Sequence, residues 1–209
     1  MPNPNLIPVI RRAPPSSRRA GFTMVELIVV LIVVGILGAI GAARFFNRSG
    51  FDAAAYAEQV RGMVRYAQKL AVAQNRPVYV QGMLSGVNVQ GVALCFVANS
   101  PCPAAAQVPA PGGNSGSSGT RASCLANGVY APAWYCEGVP ASVGFSPITG
   151  SLATFYFSGI GRPYAPDDVP KNDPTGSAQV SNFSQISVAI AADGISSTIT
   201  VSPETGYVY

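Results

Sequence analysis

The 209-residue sequence predicts an α+β fold, a long N-terminal helix packed on a C-terminal antiparallel β-sheet. Two observations carry that prediction. Residues 22 to 76 contain no proline and keep an apolar pattern that a helix can present. After Pro77 the apolar residues fall into short β-branched or aromatic runs, separated by clusters of Gly, Pro and Ser. The length suits one core with appendages rather than two independent cores.

In chain order, residues 1 to 21 form a leader rich in Pro, Ser and Arg, with Arg11, Arg12, Arg18 and Arg19 and no acid. The run FTMVELIVVLIVVGILGAIGAA follows at 22 to 43. As a helix it would extend about 33 Å, which matches a bilayer core of about 30 Å. The arginines ahead of it place that end in the cytoplasm and the rest of the chain across the membrane, on the extracytoplasmic side. Glu26 interrupts the apolar run. A carboxylate in such a segment is costly and points to function, and its natural partner is an amine created by cutting the chain before Phe22, one helical turn away.

Residues 52 to 74 continue as an amphipathic helix, with Tyr56, Val60, Met63, Val64, Ala67, Leu70 and Ala71 on one face. Glu58, Arg61, Arg65, Gln68 and Lys69 fall mostly elsewhere. Span and helix together, 22 to 76, could form one rod of about 80 Å, bent near Ser49-Gly50 and ended by Asn75 and Pro77. The body, 77 to 209, is expected to place strands at 77–81, 87–98, 152–157, 185–191 and 197–201 in a single sheet, with PETGYVY as a turn and short last strand. Residues 99 to 123 read as an exposed, mobile loop within a cysteine-containing region that reaches 143.

Composition excludes several function classes. The net charge of +4 invites a nucleic-acid reading, but four of the 13 basic residues lie in the leader, leaving nine against nine acids. Only Arg121, Arg162 and Lys171 remain for the last 133 residues, so nucleic acid is not the expected partner. His is absent, which removes the commonest general base and metal ligand. Nothing groups Ser, Tyr or carboxylates into a nucleophile with a base, so no catalytic, cofactor-binding or metal-binding residue is assigned and the chain is not expected to be an enzyme. Cys95, Cys102, Cys124 and Cys136 lack C-x-x-C spacing and read as two disulfides in an oxidising compartment. Three connectivities are open, and spacing favours Cys95 with Cys102 and Cys124 with Cys136.

The residues GFTMVEL, preceded by a basic leader and followed by a long apolar helix, resemble the type IV prepilin processing site. That resemblance implies a dedicated prepilin peptidase cutting after Gly21, methylation of the new terminus at Phe22, and Glu26 guiding each subunit into a filament. The stretch 44–81, with GRPYA and ITVSPETGYV, resembles the GspH/FimT class of minor pilins and pseudopilins, and within it the minor pilins of mannose-sensitive haemagglutinin type pili. The resemblance covers 21 to 98 well and 152 to 209 in outline. It implies a type IV pilin-like fold, a single inner-membrane span with the body in the periplasm, other major and minor pilins and an assembly platform as partners, and a place in a pilus at the cell surface. Three functions are in play: a minor pilin, a secretion pseudopilin, and a FimT-like DNA-binding subunit for which Arg162 in GIGRPY would be the candidate ligand contact, although a second arginine of that motif is missing.

Overall fold

The structure is a computed structural model and describes residues 21–45, 48–85, 88–149, 154–168 and 181–209. The chain divides into two units, Met1–Phe46 and Asn47–Tyr209. The division falls inside the segment expected as one helix. Two helices occupy it, α1 over Met24–Phe45 and α2 over Ser49–Gln74. Whether they join as the expected rod depends on residues 46 and 47, which lie outside those described.

Helix α2 ends where its sequence says it must. Asn75 adopts the left-handed conformation (φ 49°), the Arg76 N–H reaches the Ala71 carbonyl at 3.2 Å and the Asn75 N–H reaches that of Val72 at 3.3 Å. This is a Schellman closure, and Pro77 then forbids another turn.

The β-rich part departs from the expected single sheet. A five-stranded sheet has the order β5-β2-β1-β7-β8, where β1 is Val78–Ser85, β2 Asn88–Cys95, β5 Cys136–Gly138, β7 Thr154–Phe157 and β8 Pro163–Tyr164. A three-stranded sheet has the order β10-β9-β6, where β6 is Gly144–Thr149, β9 Ile186–Ala192 and β10 Ile195–Val201. Leu125–Ala126 and Val129–Tyr130 form a small hairpin, β3–β4. The described strand pairs run antiparallel, and β3–β4 and β9–β10 are joined by the short connections that only antiparallel pairs allow. The unexpected strand, β6, contains Pro147, which is tolerated because β6 pairs on one side only, at the sheet edge.

Helix α2 serves both sheets. Ala53, Tyr56, Ala57, Val60, Met63, Val64, Ala67 and Ala71 share one core with Val78, Val80, Val92 and Leu94 of one sheet and Ile186, Val188, Ile190, Ile199 and Val201 of the other. Its polar side is also used, contrary to expectation. Arg65 donates to the Val208 carbonyl at 2.9 Å, and Gln68 donates to those of Gly161 and Thr205 at 2.9 and 3.0 Å. These bonds tie the C-terminal turn to the helix. Val208 then bridges Val201, giving the short terminal pairing expected of PETGYVY.

The far face of the five-stranded sheet is covered as well. Strand β2 sends Val92 and Leu94 into the main core, while Ala93 and Cys95 enter a second cluster with Cys102, Cys124, Trp134 and Cys136. A strand buried on both faces needs a continuous apolar run, which GVALCFV supplies. The segment 99–123 is therefore no free loop. Val108 is fully buried, its N–H reaches the Leu94 carbonyl at 3.2 Å, and its carbonyl accepts the Tyr135 N–H at 2.8 Å.

Candidate functional site

Three places could carry function: the start of α1, the cysteine-containing region, and the turn holding Arg162. The first is the most distinctive. Gly21, Phe22 and Thr23 precede the helix, and Phe22 is 80% exposed. Thr23 is the N-cap. Its Oγ1 accepts the Glu26 N–H at 3.2 Å and its carbonyl accepts the Leu27 N–H at 3.2 Å. That satisfies one of the otherwise orphaned donors of a helix start. Glu26 stands in the first turn, where a negative charge is favoured by the helix dipole. Among the described residues it is exposed and takes part in neither ion pair, which are Arg61–Glu58 and Arg162–Glu204.

Helix α1 exposes nearly every large side chain described in it. Val25, Leu27, Ile28, Val29, Val30, Leu31, Ile32, Val33, Val34, Ile36 and Leu37 are each at least 48% exposed. A soluble monomer does not leave a contiguous apolar surface of this extent uncovered. Counted over the described residues alone, no helix is long and apolar enough to cross a membrane. The apolar run of the sequence, 22–43, continues past the last exposed residue of this series.

In the cysteine region the disulfides are Cys95–Cys102 and Cys124–Cys136, the local pairing favoured by spacing. Beside them lies Glu137, only 2% exposed and in neither of the ion pairs among the described residues. Its carboxylate accepts the Ser115 N–H at 2.7 Å, the Ser115 hydroxyl at 2.5 Å and the Thr120 hydroxyl at 2.8 Å. A buried charge survives only when so solvated by donors. Thr120 belongs to a short helix, α3 (Ser118–Ser123), which meets β5 backbone to backbone through Gly119 and Gly138. A Cβ on Gly138 would lie 2.2 Å from the Gly119 oxygen. The Tyr56 hydroxyl donates to the Glu137 carbonyl at 3.2 Å, and burial, then the nearby Glu137 charge, pushes its pKa well above the ordinary tyrosine value. Every donor here is spent on fixing chain to chain.

Arg162 is engaged within the chain. Its guanidinium pairs with Glu204 at 2.8 Å and lies 6.0 Å from the Tyr164 ring centroid. Arg121 likewise donates to the Gly116 carbonyl at 2.9 Å and faces the Tyr130 ring. Lys171 lies outside the described residues. The two described cations of the body thus both have local partners.

Sequence reasoning had passed over Thr23, Glu137 and Asp168. Thr23 was legible, because T-x-x-E before an apolar run is the capping signature. Glu137 was not, because its donors lie 17 and 22 residues away. Asp168 was partly hidden: its carboxylate accepts the Ala165 N–H, three residues back, at 2.9 Å and the Asn182 N–H, 14 residues on, at 2.8 Å.

Over residues 16–42 the chain matches the family described as the prokaryotic N-terminal methylation motif. No curated protein sequence matches it significantly. Among solved structures it is similar to the type IV minor pilin FimU of Pseudomonas aeruginosa strain PAO1. In one crystal form of that protein the identity is 17% and the TM-score 0.43, over 78% of this chain and 90% of that one. In a second form the identity is 16% and the TM-score 0.39, over 73% and 87%.

Proposed function

We propose that the chain is a type IV minor pilin, made as a prepilin, cut after Gly21, methylated at Phe22 and built into a pilus-like filament. The observation that carries this reading is the methylation-motif match over residues 16–42, which spans Gly21, Phe22 and Glu26. The exposed apolar surface of α1 supports it. Such a helix needs lipid before assembly and neighbouring subunits afterwards, and the sequence run 22–43 is long enough to be the span. Prepilin peptidase, other pilins and the assembly platform are the partners on this reading. The body faces the periplasm first and the cell surface after assembly. Within the class, the resemblance to MshC favours a pilus of the mannose-sensitive haemagglutinin type.

Glu26 has the exposure and isolation that docking on an incoming amine requires. Arg162 does not favour the DNA-uptake alternative, because its charge is already paired with Glu204. The secretion pseudopilin remains the second reading, since it would use the same processing site and helix.

Intact-mass analysis of membrane-extracted protein tests the proposal. A mature chain beginning at methylated Phe22 supports it; Met1 retained in cells with active prepilin peptidase sinks it. A surface pilus containing the chain then separates the pilin from the pseudopilin.

A further inference from the structure

We propose that Thr23 is a positioning residue for leader removal: it starts α1 at Met24 and so holds the Gly21–Phe22 bond outside the helix. This rests on the prepilin reading above and adds a residue to it. Hydrolysis adds water across that bond, leaving a carboxyl on Gly21 and an amine on Phe22. The attacked carbonyl must be reachable and the chain extended there. Inside an α-helix the same carbonyl would be bonded to an N–H four residues on, and the backbone would be wrapped by side chains.

The structure separates the two conditions by two residues. Gly21, Phe22 and Thr23 are non-helical, Phe22 is 80% exposed, and the helix begins at Met24. The device that sets this boundary is the bond from the Glu26 N–H to Thr23 Oγ1. The neighbours agree with it position by position. Gly21 resists helix, Thr23 is β-branched and caps better than it propagates, and in sequence Glu26 stands at the N3 position and Phe22 and Leu27 at the N′ and N4 positions where capping-box and staple residues occur. The motif that marks the processing site is thus also a complete helix-start signal, and Thr23 links the two. Without the cap, only the weaker helix propensities of Gly21 and residue 23 oppose extension of α1 back through residue 22.

The test uses the full-length chain in membrane vesicles with purified prepilin peptidase, reading initial rates of leader loss by intact mass. Thr23→Val keeps the shape and removes the hydroxyl; Thr23→Ala removes both; Thr23→Ser and Thr23→Asn keep the capping oxygen. Thr23→Val and Thr23→Ala are expected to be cut about fivefold more slowly, the size of a lost cap. Thr23→Ser and Thr23→Asn should stay within about twofold of the unsubstituted chain, since both cap at least as well. All four should insert equally. Normal cleavage of Thr23→Val overturns the proposal, and so does slow cleavage of Thr23→Ser and Thr23→Asn, which would mean that the peptidase reads threonine directly. An unsubstituted chain that is not cut at all would instead overturn the prepilin reading, and this inference with it.

Discussion

Helices α1 and α2 have similar lengths, 22 and 26 residues, and expose very different surfaces. The described large side chains of α1 stay exposed, and Glu26 has no described partner. Helix α2 buries one face in a core shared by two sheets and spends Arg65 and Gln68 on backbone carbonyls. A helix that buries one face within its own chain holds a fold together. One whose surface is left over must find its complement outside, in lipid or in another subunit. The division into two units at residues 46 and 47 marks where one kind gives way to the other.

The largest expected effect breaks this contrast on the α1 side. Glu26→Ala should leave membrane insertion and body stability unchanged and cut filament numbers to about a tenth or less, as for loss of one partner of a desolvated pair. Glu26→Gln sharpens it, because glutamine still suits the capping register while removing the charge. Filament counts by electron microscopy decide, and normal counts for both variants would remove the docking role.

On the body side the sharpest change is Gly138→Ala. The new methyl group would meet the Gly119 backbone at 2.2 Å, and backbone cannot rotate aside as a side chain can. Denaturant unfolding should show a loss of about 3 kcal/mol or more, with peptidase cleavage at Gly21 unaffected. Replacing both Cys124 and Cys136 by Ser should cost about 2 to 4 kcal/mol in the same assay. The Glu137 hydrogen bonds still hold α3 on β5, so limited proteolysis should show that region protected; prompt cutting between 99 and 123 would show the disulfide to be its main restraint.

The smallest effect concerns alkaline pH. Burial raises the pKa of Tyr56, Tyr79, Tyr135 and Tyr156 above the ordinary 10.0, and the Glu137 charge adds to the shift at Tyr56 and Tyr135. A pKa raised on folding contributes stability that is full below pH 10.0 and lost as pH rises beyond it. Tyr56→Phe should cost about 1 kcal/mol at neutral pH, from the bond to the Glu137 carbonyl, yet flatten the decline above pH 10.0. Unfolding curves at neutral and alkaline pH measure both, and an unchanged alkaline slope would mean that Tyr56 does not titrate with unfolding.

What could be read ahead of the structure was whatever depends on neighbours in sequence. The buried face of α2 is an i, i+3, i+4 pattern, and Asn75-Arg76-Pro77 carries its own stop. The disulfides join cysteines 7 and 12 residues apart, close enough for spacing to favour the right partners. Strand β6 lies outside the expected strands, and its Pro147 is compatible with a strand there because β6 is at an edge, which is a property of the finished sheet.

By itself, then, the amino-acid sequence determined the basic leader, the apolar run with Glu26 near its start and the amphipathic second helix, and it favoured the local pairing of the four cysteines. Each is encoded within a few helical turns or one short loop, where chain connectivity already brings the residues together. Tertiary structure alone decided that the strands form two sheets sharing α2, that the segment 99–123 helps close the far face of one of them, and that Glu137 is held by Ser115 and Thr120 and Asp168 by Asn182. It also decided that Arg162 is paired with Glu204, 42 residues away. Those outcomes turn on which surfaces are left over once the local elements have formed, and burial matches such surfaces by shape and by unmet hydrogen bonds, not by distance along the chain.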